Sequence, residues 1–99
     1  MKIAIVADTH DNLANLELFL EQAKAKGIEA IIHCGDVTTP ETLEWLAERF
    51  VGPIKLADGN MEIRREEFGT VAERHNNLEV FADIGDWTVD GMRLAFANG

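Results

Sequence analysis

The sequence predicts an α/β fold: a parallel βαβαβ sheet with flanking helices and a C-terminal β-hairpin. Short apolar runs rich in β-branched residues recur along the chain, and segments of helical periodicity separate them. An Asp-Gly pair at residues 90 and 91 divides two final apolar runs, which indicates a hairpin. The length of 99 residues suffices for one domain, which we expect to span residues 1–99.

The first βα unit occupies the N-terminal third of the chain. Residues 2–7, KIAIVA, have the continuous apolar character of a strand that is buried on both faces. Residues 12–26 follow helical periodicity, and Gly27 marks the end of that helix. A second strand is expected over residues 28–33, IEAIIH. Two strands joined by one helix form a right-handed unit with a parallel sheet.

The same pattern repeats in the middle of the chain. Pro40 suits the first position of a second helix, which we expect over residues 40–50, and a third strand follows over residues 53–57. Residues 61–75 are rich in charge and only weakly periodic. Because Gly69 lies among them, we expect an irregular helix there.

The last quarter of the chain has the pattern of strands. Residues 78–83, LEVFAD, predict a fourth strand. Residues 86–97 predict a hairpin, with a type I′ turn at Asp90 and Gly91.

The composition limits the classes of partner. The chain has eighteen Asp and Glu residues and only nine Lys and Arg residues. Because such an acidic chain repels a phosphate backbone, we expect no general nucleic-acid binding. No apolar run approaches the ~20 residues that span a bilayer, so we expect no membrane association. Cys34 is the one cysteine, which indicates a reducing, cytoplasmic setting.

Polar residues follow each of the first three predicted strands. Asp8 and His10 come after the first strand, Asp36 after the second and Asn60 after the third. Because ligands bind at the carboxyl ends of parallel strands, we expect these four side chains to converge. Two carboxylates, an imidazole and an amide oxygen suit a divalent ion such as manganese, iron, zinc or nickel.

Other polar residues have simpler interpretations. The alternative for Asp8 is a role in a turn or a helix cap. His33 lies within an apolar strand. We expect it to be packed in the core or to contact a metal-binding side chain without binding the metal itself. His75, in the polar stretch RHNN, is expected to be solvated, and Cys34 to be a small buried apolar residue.

The ordered motifs D-x-H, G-D and G-N resemble those of the calcineurin-like metallophosphoesterases, and within them the small phosphodiesterases of the YfcE type. Residues 31–36, IIHCGD, are similar to the whole second motif of that family. The resemblance implies that Asp8 and His10 bind one metal ion, that Asp36 bridges two ions and that Asn60 binds the second. It also implies that Asp36 and Asn60 take part in catalysis.

The activity that the resemblance implies is metal-dependent hydrolysis of a phosphodiester or phosphomonoester. Two divalent ions, about 3.5–4 Å apart in such sites, activate a water or hydroxide for attack on phosphorus. The resemblance implies two ions per complete site, manganese foremost and nickel, iron or zinc as alternatives. The implied substrate is a small phosphoester.

The chain departs from the family pattern at its end. Asn98 and Gly99 stand where the family has His-Gly, no later G-H-x-H follows, and Met61 stands where larger relatives have a histidine after G-N. We therefore expect the first half of the family's αββα sandwich, with the C-terminal half of the site absent. The alternative is a truncated or degenerate non-catalytic domain that binds a metal weakly or acts as an interaction module.

The missing second sheet also predicts self-association. The predicted strands are apolar on both faces, and one hairpin covers only part of the inner face. Because a large exposed apolar patch favours association, we expect a homodimer that forms through this face or by exchange of the hairpin.

Overall fold

The structure is a computed structural model that describes residues 1–7, 13–34, 40–58, 65–82 and 84–97. Within these ranges the helices are α1 (Leu13–Lys26), α2 (Pro40–Arg49) and α3 (Arg65–Arg74). The strands are β1 (Ile3–Ala7), β2 (Ala30–Cys34), β3 (Ile54–Asp58), β4 (Leu78–Ala82), β5 (Ile84–Val89) and β6 (Met92–Ala97). None of the helices in these ranges has the length and apolar character that a bilayer span requires.

The first four strands form one parallel sheet in the order β1-β2-β3-β4. The strands and helices alternate, so each crossover joins neighbouring parallel strands through a helix, as right-handed βαβ units do. The predicted α/β class, the parallel pairing and the fourth strand are confirmed.

One face of the sheet packs against the helices. Ile31, Ile54 and Leu56 point to this side and are fully buried. The helices cover them with apolar side chains that recur at helical spacing, namely Leu43, Leu46 and Ala47 from α2 and Phe68 and Val71 from α3. Leu16 and Ala23 of α1 are buried as well. This layer is the larger part of the core.

The hairpin of β5 and β6 covers the opposite face. Phe96 of β6 is only 8% exposed and packs with Ile32 and Ala57 of the sheet. Its ring meets that of Phe81 edge to face, with 5.5 Å between the ring centroids. Such a pair adds to the burial of apolar area and fixes the hairpin against the sheet.

The turn of the hairpin is of the predicted type. Asp90 and Gly91 both have positive φ angles, 52° and 75°, as a type I′ turn requires. The pairing extends further than predicted, because Ile84 pairs with Ala97 and Gly85 with Phe96. The hairpin therefore begins at residue 84 and not at residue 86.

Two details of the prediction are wrong, namely the start of β2 and the irregularity of the helix around Gly69. Strand β2 begins at Ala30 and not at residue 28, because the Ile28 amide donates to Ala23 O at 2.9 Å and closes the end of α1. Helix α3 is regular over Arg65–Arg74 although Gly69 lies at its centre. The burial of Phe68 and Val71 outweighs the helix penalty of glycine, which is about 1 kcal/mol.

The hairpin leaves part of β1 uncovered. The two strands of the hairpin pack mainly on β2, β3 and β4. Strand β1 is the edge strand of the parallel sheet that lies farthest from β4. Ile5 pairs in register with Ile32 and lies on the same face, yet its side chain is 75% exposed. The side chain of Ile5 is therefore an exposed apolar group on the hairpin side of β1.

Candidate functional site

The carboxyl ends of β1, β2 and β3 lie side by side at one edge of the sheet. Ala7, the last residue of β1, pairs with Cys34, the last residue of β2, and Cys34 pairs with Ala57 near the end of β3. The three strands thus end within about one residue of one another. In open parallel sheets this edge is where ligands bind.

The four predicted site residues follow these strand ends in sequence and lie outside the described residues. Asp8 directly follows β1 and His10 comes two positions later; Asp36 and Asn60 each come two positions after the last residue of β2 and β3. The described strands form the scaffold of the predicted site, and the assignment of Asp8, His10, Asp36 and Asn60 stays a prediction.

The scaffold is firmly packed on its helix side. His33 is fully buried there, in register between Val6 of β1 and Leu56 of β3. This confirms that His33 is a packed residue of the strand that leads to Asp36.

The hairpin side of the same edge carries Cys34, which is half-buried. Burial raises the pKa of the Cys34 thiol, and a hydrogen bond with the Ala97 backbone offsets part of that effect. The thiol is therefore protonated at neutral pH, as expected for a small packed residue and not for a nucleophile. The contact also places the end of β6 at this edge, directly before Asn98 in sequence.

A cluster of metal-type side chains lies at the opposite end of the sheet. Glu44 and Glu48 on α2 and His75 after α3 bring their ligand atoms within 4.8 Å of one another. The prediction that His75 is solvated is wrong, because its side chain is only 16% exposed and its Nε2 lies 3.5 Å from Glu44 Oε1. Sequence reasoning missed this cluster, since 31 positions separate Glu44 from His75 and no known motif links them.

A cavity of about 630 Å³ opens between α1 and α2. Leu20, Ile28, Trp45 and Phe50 are among its apolar lining residues, and the Arg49 guanidinium lies 4.4 Å from the centre of the Trp45 ring. Because Ile28 precedes β2 and Phe50 precedes β3, the cavity lies at the amino ends of the strands. It therefore lies away from the carboxyl edge at which β1, β2 and β3 end.

Comparison with known proteins agrees with the motif resemblance. The whole chain, residues 1–99, matches the calcineurin-like phosphoesterase superfamily domain. It is 47% identical over 99 residues to Phosphodiesterase MJ0936 of Methanocaldococcus jannaschii. The match covers 100% of this chain and 59% of that relative, so the chain spans less than two thirds of its length.

A solved structure described as a novel archaeal phosphodiesterase has the same fold. It superposes with a TM-score of 0.80 over 96% of this chain and 57% of that chain, at 24% sequence identity. At that identity the similarity supports the fold, and the order of strands and helices described above is the fold that the two proteins share.

Proposed function

This chain belongs to the calcineurin-like phosphoesterase superfamily, and from that premise we propose that it carries, in one domain, the N-terminal half of a metal-dependent phosphoesterase site. The observation that supports this most is the common edge at which β1, β2 and β3 end. Each of these three ends is followed within a few residues by one of the motifs D-x-H, G-D and G-N.

The donor set at this edge suits divalent metal ions. Asp8 and Asp36 supply carboxylates, His10 an imidazole and Asn60 an amide oxygen, which together form a hard-to-borderline set. The chain as a whole is acidic, with a net charge of −9, and therefore favours cations over free anions. The relative in M. jannaschii is named a phosphodiesterase, and we propose a small phosphoester as the substrate class here.

Each residue has a distinct proposed role. Asp8 and His10 hold one ion, Asn60 holds the other, and Asp36 contributes to both. Metal ions bound in such a site, with manganese foremost, lower the pKa of a bound water and neutralise charge on the phosphoryl oxygens. The proposed contribution of the protein is the common edge of the strands, from which these ligands would be positioned before substrate arrives.

The half-site should bind metal more weakly than a complete one. Asn98 stands where the family has a histidine, so the second ion keeps only Asp36 and Asn60 among the residues of this chain. Two-metal catalysis needs both ions in fixed positions. We therefore expect weak manganese binding and slow hydrolysis by the isolated chain.

The test compares Asp36→Asn with a matched control, Asp90→Asn. Both changes remove one carboxylate, and Asn is compatible with the positive φ of residue 90 in the hairpin turn. We expect Mn²⁺ binding, measured by calorimetry, and any Mn²⁺-dependent hydrolysis of bis-p-nitrophenyl phosphate to be lost in Asp36→Asn and kept in Asp90→Asn. Manganese binding that is equal in the two variants would refute the proposed site, and rapid turnover by the 99-residue monomer would refute the half-site.

The second candidate function is a non-catalytic domain of the same family. It is favoured by Asn98 in place of the family's histidine and by Met61 after Asn60. Manganese binding that depends on Asp36 but supports no hydrolysis at any metal concentration would select this candidate.

We further propose that the chain forms a homodimer through the uncovered face of β1. Ile5 is 75% exposed on that face. Among the described residues, β5 and β6 form a two-stranded sheet, so β6 has one edge that pairs with no other described strand. Light scattering after size-exclusion chromatography should give a dimer for the wild type and a monomer for Ile5→Lys. Leu18→Lys, which changes another exposed leucine-size side chain on α1, should leave the dimer intact. A wild-type monomer at high concentration would contradict the proposal.

The composition of the chain supports three more proposals, one on location and two on partners. We propose a cytoplasmic location and no general nucleic-acid or membrane binding. Fractionation of cells and a filter-binding assay with mixed-sequence DNA at low salt would test them.

A further inference from the structure

Glu44, Glu48 and His75 form a compact cluster on the helix layer, remote from the predicted phosphoesterase site. Glu44 and Glu48 lie one turn apart on α2, and His75 directly follows the last residue of α3. We propose that these three side chains bind one divalent transition-metal ion, with zinc as the best match, and that the ion fastens α2 to the end of α3.

The spacing of the ligand atoms suits zinc. His75 Nε2 lies 3.5 Å from Glu44 Oε1, which is longer than the usual N–H···O hydrogen bond of about 2.7–3.2 Å. Zinc takes nitrogen and oxygen ligands at roughly 2.0–2.2 Å in a tetrahedron, which places neighbouring ligand atoms about 3.4 Å apart. The observed separation therefore leaves room for an ion between the two atoms.

The imidazole nitrogen that faces Glu44 is independent evidence for a ligand. Among the described residues, His75 Nε2 is shielded from solvent and has no hydrogen-bond partner. A buried polar atom without a partner destabilises the folded state. A metal bond to neutral imidazole would satisfy this nitrogen.

Arg74 leaves part of the Glu44 carboxylate free for an ion. Its Nη1 lies 3.1 Å from Oε1 and 3.3 Å from Oε2, and a carboxylate offers about four lone-pair positions. Arg74 therefore holds the carboxylate in one orientation and leaves lone-pair positions for an ion. Hydrogen bonds of this kind also orient metal-binding carboxylates.

Glu48 can complete the set of protein ligands. Its side chain is 55% exposed, and Arg49 approaches it only to 3.9 Å, so it is free to turn toward the ion. Two carboxylates and one imidazole make three protein ligands, which leaves the fourth position of a zinc ion to water.

The test is a calorimetric titration with Zn²⁺ at pH 7 in a variant that carries Asp8→Asn and Asp36→Asn. These changes remove two ligands of the predicted phosphoesterase site, so that zinc bound elsewhere can be measured. We expect one Zn²⁺ per chain in this variant, and affinity reduced roughly tenfold or more when either Glu48→Gln or His75→Gln is added. Glu41→Gln, an exposed glutamate on the same helix, is the control and should change nothing.

A second measurement locates the ion directly. The imidazole signals of His75 in NMR spectra should shift on addition of Zn²⁺, and the signals of His33 should not. Zinc binding that survives both Glu48→Gln and His75→Gln would overturn the proposal, as would absence of zinc binding in the variant with Asp8 and Asp36 replaced. Because that variant lacks the phosphoesterase ligands, failure here leaves the proposed activity standing.

Discussion

The same substitution, glycine to alanine, should have opposite effects at residues 85 and 69. A Cβ at Gly85 would lie 2.8 Å from Phe96 Cδ2 and closer still to Cε2 and Cζ of that ring. Phe96 is 8% exposed and packs edge to face with Phe81, so the ring has little room to yield. Overpacking of this kind destabilises a fold by about 1–3 kcal/mol.

Gly69 presents the reverse case. It lies at the centre of α3, and a Cβ there would meet no atom within 4 Å. Alanine therefore adds no clash and removes the helix penalty of glycine, which is worth about 1 kcal/mol. For a domain of this size, each kcal/mol corresponds to a shift of about 4–8 °C in the melting temperature.

Thermal unfolding followed by circular dichroism measures both effects. We expect Gly69→Ala to melt about 4–8 °C above the wild type and Gly85→Ala to melt at least about 4 °C below it. The wild type is the common reference, and the double variant should show the sum of the two shifts because the residues share no contact. A Gly85→Ala variant that is as stable as the wild type would refute the packing of the Phe96 ring against Gly85.

Two further predictions concern residues that sequence reasoning did not single out for stability. The Asn77 side-chain amide donates to the backbone oxygens of Ala47, Phe50 and Gly52 at 2.8–3.3 Å. Asn77→Ala should therefore lower the free energy of unfolding, measured in urea, by about 1–3 kcal/mol. Asn77→Asp also lacks the donor, so it should not restore the lost stability. Burial raises the pKa of the Cys34 thiol above its ordinary value of 9.0, so the folded state keeps this proton to a higher pH than the unfolded state. The free energy of unfolding should therefore fall as the pH rises above that value. Iodoacetamide at pH 8 should modify Cys34 more slowly in the folded chain than in urea.

Local signals in the sequence were sufficient to predict most of the elements. Helix α1 was expected over residues 12–26 and spans Leu13–Lys26, because Gly27, with its φ of 71°, ends it where the apolar periodicity stops. The hairpin turn followed from the Asp90-Gly91 pair alone, since few other pairs adopt two positive φ angles. These features depend on neighbouring residues only.

Features that depend on distant residues were not predictable in the same way. The regularity of α3 depends on Phe68 and Val71 packing against the sheet, and the burial of His75 depends on Glu44 of another helix. The candidate site stands between these cases. Parallel pairing brings the ends of β1, β2 and β3 to one edge of the sheet. The predicted ligands, Asp8 among them, were assigned from the order of the motifs along the chain.

The most direct test of the proposed half-site is where manganese binds on the sheet. The protein is labelled with ¹⁵N, and Mn²⁺ is added in substoichiometric amounts. It carries Glu48→Gln, which weakens metal binding at the cluster of Glu44, Glu48 and His75. The two ends of a five-residue strand are roughly 13 Å apart, enough to distinguish them by paramagnetic broadening. We predict that the amide signals of Ala7, Cys34 and Asp58 broaden more than those of Ile3, Ala30 and Ile54, and that Asp36→Asn abolishes the difference. Equal broadening at both ends of the strands, or broadening that Asp36→Asn leaves unchanged, would contradict a metal site at the carboxyl edge.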